Sequence, residues 1–164
     1  MTLINATKKV WSRLGKSSNS VLAVDDTILG PWCVHLYYFY HKQFIILTNE
    51  RTLFTSILPA RCLSDLATYF PKAVDDVLQK CEIRSLLRNK LITELSEIQF
   101  SDKTNRQVLG SINDFIKCSK YVLEDVPNIS LSELSFRMCQ MPCSPINMKS
   151  PRDVTKELLS SVAA

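Results

Sequence analysis

Glycine is scarce in this sequence, with three in 164 residues, and histidine scarcer still, with two. So few glycines exclude a phosphate-cradling loop of the G-x-G-x-x-G or Walker type, a collagen repeat and a flexible low-complexity linker. The two histidines, His35 and His41, leave little for a metal centre, and no G-x-S-x-G elbow is present for a serine hydrolase. Long apolar runs are missing too. The longest uncharged stretch, Thr27–His41, is interrupted by Gly30, Pro31 and His35, whereas a bilayer span needs about 20 apolar residues. No secretory signal is expected, because Lys8 and Lys9 follow the first apolar stretch instead of preceding it. Neither sign of charge dominates: twenty Lys+Arg against sixteen Asp+Glu gives +4. That is weak for a nucleic-acid-binding domain, which usually carries a basic stripe. Most of the excess sits in Lys8, Lys9, Arg13 and Lys16 near the N-terminus.

What is present is ordinary globular material. Hydrophobic residues make up 46% and charged residues 22%, which excludes disorder, a coiled coil or a disulfide scaffold for the whole chain. One globular domain over residues 1–164 is expected, with a full core. The six cysteines are Cys33, Cys62, Cys81, Cys118, Cys139 and Cys143, most of them within apolar periodic stretches. They read as reduced core thiols of a cytoplasmic protein.

Periodicity orders the chain as strands first and helices later, an α+β arrangement rather than a regular βαβ series. Leu3–Ala6 reads as a short strand. Thr7 caps a helix that Gly15 stops. Val21–Val24 is another candidate strand. Trp32–Tyr40, Phe44–Thr48 and Thr52–Leu58 form an antiparallel meander around residues 32–58, its first strand bulky on both faces. Helices follow: one capped by Ser64 and broken at Pro71, one over Leu86–Leu95, and a long one over 104–123 opened by a Thr104/Gln107 capping box. Two more open at Ser130 and Ser150, the last facing Val154, Leu158 and Val162 inward. Ile98–Phe100 is a candidate edge strand. Several C-terminal helices therefore pack an N-terminal antiparallel sheet.

Residues able to carry chemistry are few. Cys139 and Cys143 lack a second zinc-type pair, and the adjacent carboxylates Asp25-Asp26 and Asp75-Asp76 point apart. No metal, cofactor or catalytic residue is assigned. One constellation remains, on the long helix. Arg106, Gly110, Asn113 and Lys117 lie at i, i+4, i+7 and i+11, and at 100° per residue Arg106 and Asn113 differ by about 20°. Asp114 borders this face. Gly110 costs about 1 kcal/mol against alanine inside a helix, which predicts a close approach there by a backbone, a ligand or a partner. Asn49 and Arg51, at a strand-to-strand turn, are candidates to extend the site, and Lys8 and Lys9 to add positive potential.

The segments Thr7-Lys8-Lys9, Thr48-Asn49-Glu50-Arg51-Thr52-Leu53 and Thr104 to Phe115 resemble those of a family of small bacterial proteins grouped as a domain of unknown function. So does the tail through Leu134–Arg137, Pro142–Pro145 and Pro151 to Leu159. The resemblance covers nearly the whole chain, is most specific in the T-N-R-x-V-L-G-S-x-N-D-F stretch, and implies a bacterial protein without implying a mechanism. The expected function is a non-enzymatic binding or regulatory domain of a plasmid, phage or defence locus. Its partner would be another protein, met by the polar face of the long helix, with no membrane involved. The alternatives are a nucleic-acid- or nucleotide-directed enzyme, with Arg106 on phosphate and Asp114 as metal ligand or base, and a nucleic-acid binder stacking bases on Trp32, Tyr37 and Tyr40.

Overall fold

The computed structural model describes residues 1–19, 24–103 and 105–163. Five strands form one sheet: β1 (Thr2–Ala6), β2 (Trp32–Phe39), β3 (Lys42–Asn49), β4 (Thr55–Pro59) and β5 (Ile98–Ser101), in the order β4-β3-β2-β1-β5. Six helices surround it: α1 (Lys8–Leu14), α2 (Leu66–Lys80), α3 (Ser85–Leu95), α4 (Arg106–Asp125), α5 (Leu131–Cys139) and α6 (Pro151–Ala163). The fold is α+β, as the order of periodicities predicts. The expected meander β2-β3-β4 is present and antiparallel. Beyond it the sheet is mixed, since β1 pairs parallel with both β2 and β5. Of the candidate strand Val21–Val24, residues 21–23 lie outside the described residues, and Val24 belongs to no strand.

Strand alternation sends two sets of side chains to opposite faces. Ile4, Ala6, Trp32, Val34, Leu36, Ile45, Leu47 and Leu58 share one face with Val10 and Trp11 of α1 and the apolar stripes of α2 and α3. Cys33, Tyr37, Phe44, Ile46 and Ile57 share the other with Val108, Ile112, Phe115 and Ile116 of α4. The sheet is thus covered by helices on both sides. This accounts for the bulk on both faces of β2, where Trp32 packs edge-on to Phe54 and Phe70 at 6.2 and 5.0 Å.

The free edge of β4 is closed by side chains. Ser135 Oγ of α5 accepts from Ile57 N at 2.9 Å, and Cys139 Sγ accepts from Thr55 N at 3.3 Å. Four residues of helix rise about 6 Å and two residues of strand about 6.6 Å. One turn of α5 therefore matches two steps of β4, and the outward amides that invite edge pairing are used within the chain.

Several local expectations need correction. Thr7 starts α1 without a side-chain cap, because its hydroxyl bonds His35 Nδ1 instead, at 2.9 Å. Asp65, not Ser64, precedes α2. That helix runs through Pro71, a buried sixth residue that forfeits one backbone bond while Phe70, Val74 and Val77 bury against the sheet. Thr104 lies outside the described residues, and Asn105 caps α4 by accepting from Val108 N. On α6 the buried stripe is Pro151, Thr155 and Leu159, one position away from that expected, and Val162 is 45% exposed. Among the described residues no helix is long and apolar enough to cross a membrane.

The edge contact is testable. Ser135→Ala leaves the buried Ile57 amide without an acceptor and is expected to lower unfolding free energy by about 1–3 kcal/mol in urea titration. A change within about 0.5 kcal/mol, the range of a neutral surface substitution, would mean that α5 does not close the edge in this way.

Candidate functional site

The neighbouring parallel strands β1 and β5 hand the chain to helices on opposite faces: α1 follows β1, and α4 follows β5. A cavity of about 730 Å³ lies against β1, at the end of the sheet where β2 begins and β3 turns toward β4. Its walls include Leu3 and Asn5 of β1, Asp25 and Pro31 of the segment before β2, Glu50 and Arg51 of the β3–β4 turn, and Lys103, Arg106 and Gln107 around the start of α4.

Each wall is held by identifiable bonds. Asn49 anchors the β3–β4 turn from inside. Fully buried, it accepts through Oδ1 from Arg51 N, Thr52 N and Thr52 Oγ1, and donates through Nδ2 to Leu29 O and Pro31 O. Glu50 and Arg51 are thereby presented to the cavity. Gly30, at φ 74°, makes room for Arg51, since a Cβ at Gly30 would stand 2.8 Å from Arg51 Nε. Asp25 is occupied by the fold: Oδ2 accepts from Leu3 N at 2.8 Å, and Oδ1 accepts from the amide and hydroxyl of Thr27.

Three features give the cavity its chemistry. Arg51, Lys103 and Arg106 take part in no ion pair among the described residues. The first turn of α4 holds no acidic residue, so the positive end of the helix macrodipole adds to Arg106 without compensation. Asn5, 6% exposed, donates Nδ2 to Glu50 Oε1 at 2.8 Å, while its Oδ1 has no partner. A buried acceptor without a donor costs about 1–3 kcal/mol. Cys33 pairs with Asn5 in register; burial and the charge of Glu50 push its thiol up to about 12, too high for a nucleophile.

The structure divides the residues singled out from the sequence. Arg51 and Arg106 meet in this cavity. Asn49 does not face it but serves the interior. Gly110, Asp114 and Lys117 line a second cavity, of about 820 Å³, between α4 and the segment from Met141 to Met148. Gln107 borders both cavities, and Asn113 is exposed. The close approach expected at Gly110 is absent: a Cβ there would meet nothing within 4 Å. Gly30 is the glycine with a side chain pressed against it. Lys8 and Lys9 are exposed in the first turn of α1 and lie outside the cavity lining. Of the aromatics considered for stacking, Trp32 and Tyr37 are buried and Tyr40 is 78% exposed. Sequence reasoning did not place Asn5, Lys103 or Gln107 in a site. Asn5 did carry a signal, as the one polar residue in the apolar run Leu3-Ile4-Asn5-Ala6.

Two substitutions check these assignments. Asn49→Ala strands several buried partners and is expected to cost about 2–4 kcal/mol in chemical denaturation, whereas exposed Arg51→Ala stays within about 0.5 kcal/mol. Equal effects would remove Asn49 from its anchoring role. His35 is disfavoured from protonating, first by burial and then by Lys9, and its pKa lies below the ordinary 6.5. The unfolded chain therefore takes up the proton more readily, and stability falls as pH drops below about 6.5. His35→Gln is expected to flatten that part of the stability–pH curve; an unchanged slope would assign it to other groups.

The family model of a domain of unknown function, DUF6933, matches residues 3–154. No curated protein and no solved structure matches the chain.

Proposed function

We propose that this chain, which belongs to the DUF6933 family of domains of unknown function, is a binding domain for an anionic ligand. The ligand seats between β1, the β3–β4 turn and the first turn of α4. One observation carries this reading: Arg51 of the β3–β4 turn and Lys103 and Arg106 around the start of α4 converge on a single cavity, where they outnumber Asp25 and Glu50 and form no ion pair among the described residues. Like charges held together at a helix N-terminus repel one another and the macrodipole, and a bound anion relieves both.

Binding is favoured over turnover by the state of the nearby groups. Both oxygens of Asp25 already accept hydrogen bonds, Glu50 holds Asn5, and the Cys33 thiol is pushed up to about 12. Asp25 is therefore not a free general base, and Cys33 is not an activated nucleophile. A second reading, a protein partner docked along α4, draws on the exposed Tyr121 and Met148, at 72% and 64%, beside the second cavity. In that reading the domain is regulatory, and anion occupancy at one end of α4 adjusts a surface further along it. A cytoplasmic setting belongs to the same proposal and draws on six free cysteines.

Thermal unfolding tests the anion site. Phosphate, pyrophosphate or citrate at 100 times its dissociation constant is expected to stabilise wild type by about 2.7 kcal/mol. The double variant Arg51→Ala/Arg106→Ala should melt near wild type without ligand and gain nothing from it. No stabilisation of wild type by any of the three anions, or equal stabilisation of the variant, counts against the reading.

A further inference from the structure

We infer that the ligand is a phosphate ester bearing a primary ammonium group, its phosphate met by Arg51, Lys103 and Arg106 and its ammonium by the Glu50 carboxylate. This rests on the anion-site reading and adds to it from a separate observation: charges of both signs line one cavity without pairing. Glu50 and Arg51 are consecutive in the chain and line the same cavity as Lys103 and Arg106. Yet no ion pair among the described residues includes any of the four. Two of them are held by other contacts. Glu50 Oε1 accepts from Asn5 Nδ2 at 2.8 Å, which ties its carboxylate to β1. The Arg51 guanidinium lies over Gly30, where a Cβ would stand 2.8 Å from Nε and 3.1 Å from Cζ. A simple anion would answer the cations and bring further negative charge toward Glu50. A ligand with an anionic end and a cationic end answers both.

The surroundings narrow both ends. Asp25 also lines the cavity, but its Oδ2 accepts from Leu3 N and its Oδ1 from the amide and hydroxyl of Thr27. Glu50 Oε2 is thus the cavity's carboxylate oxygen with no hydrogen bond among the described residues. No aromatic ring lines the cavity among those residues, so nothing there would cage a quaternary ammonium. A primary ammonium instead brings N–H donors, which a carboxylate oxygen accepts. Three cations against one available carboxylate call for more negative than positive charge on the ligand, and arginine forks match phosphate oxygens. About 730 Å³ suits a small molecule or the head of a larger one. The shared chemistry is a phosphate ester of a short primary amine, whether a free phosphorylated amine or a lipid headgroup.

Calorimetric titration of the full chain with inorganic phosphate, ethyl phosphate, phosphoethanolamine, phosphocholine and glycerophosphoethanolamine separates these cases. Ethyl phosphate is phosphoethanolamine without its amine. If Glu50 takes no part, the ammonium meets only cations and weakens binding. With Glu50 as its partner, phosphoethanolamine is expected to bind about five- to tenfold more tightly than ethyl phosphate. Phosphocholine has no N–H to donate and should bind no more tightly than ethyl phosphate. Glu50→Gln keeps an oxygen for Asn5 and removes the charge, so it should lose the preference for phosphoethanolamine. Tighter binding of phosphoethanolamine than of glycerophosphoethanolamine points to a free phosphorylated amine, and the reverse to a lipid headgroup. Three results overturn the inference while leaving the anion site standing: phosphoethanolamine no tighter than ethyl phosphate, phosphocholine as tight as phosphoethanolamine, or a preference that survives in Glu50→Gln. Binding of none of the five overturns both. If Glu50→Gln fails to fold, the wild-type series alone decides.

Discussion

The carboxamide of Asn49 makes hydrogen bonds in two directions, and both the sheet and the cavity depend on them. Its oxygen accepts from the turn that follows it, through Arg51 N, Thr52 N and Thr52 Oγ1. Its nitrogen donates to Leu29 O and Pro31 O, on the segment that leads into β2. One buried side chain thus ties the exit of β3 to the entrance of its neighbour. Neither aspartate nor leucine meets the same demand, since the first offers no donor and the second offers neither donor nor acceptor. Because these groups are buried, the backbone they fix cannot turn to water instead. Glu50 and Arg51 point outward as a consequence, and the absence of a side chain at Gly30 lets the Arg51 guanidinium lie close to the backbone.

The rest of the architecture follows from closing a five-stranded sheet at its exposed boundaries. Apolar side chains on both faces require two helical layers, which α1, α2 and α3 on one side and α4 on the other supply. At the β4 edge, α5 lends Ser135 and Cys139 as acceptors. Cys139 is fully buried, and burial raises its thiol pKa, so it serves there as a neutral group that both accepts from Thr55 N and donates to Thr55 O. The opposite edge, β5, is short, and its chain leaves at once toward α4. The cavity lies against β1 between the β3–β4 turn and the chain that leaves β5 for α4.

How much of this could be read from the sequence depended on whether the signal was local. The α4 stripe, the Gly15 stop and the Ser130 cap are set by neighbours a few residues apart, and each is where periodicity places it. The meander was legible for the same reason. Parallel pairing of β1 with β2 and β5 was not, because no tight turn joins these strands to fix the register, and Thr2 of β1 stands against Ile98 of β5. Pro71 misled because burial of the surrounding stripe outweighs one lost backbone bond. The Gly110 reading fails because a missing Cβ matters only when something stands in its place, which is so at Gly30 and not at Gly110. Asn49 and Arg51, adjacent but for Glu50, were read together and have opposite roles. One points into the core and the other into the cavity, a distinction that only the turn's hydrogen bonds draw.

Local stability and the proposed site pull in different directions at the start of α4. A helix is best opened by an acidic first turn, worth about 0.3–1 kcal/mol at a surface. This one opens with Arg106 and has no acid there, although Asn105 caps it correctly. Lys103 and Arg51 add like charge across the cavity, and Asn5 leaves an acceptor unused at its floor. Each choice is unfavourable for the empty chain, and a neutral or acidic replacement at Arg106 would suit the helix better. Departures from local optimum of this kind are where function is expected to draw on stability. The same bound anion would compensate the helix end and the clustered cations together, so these two departures have one physical explanation rather than two.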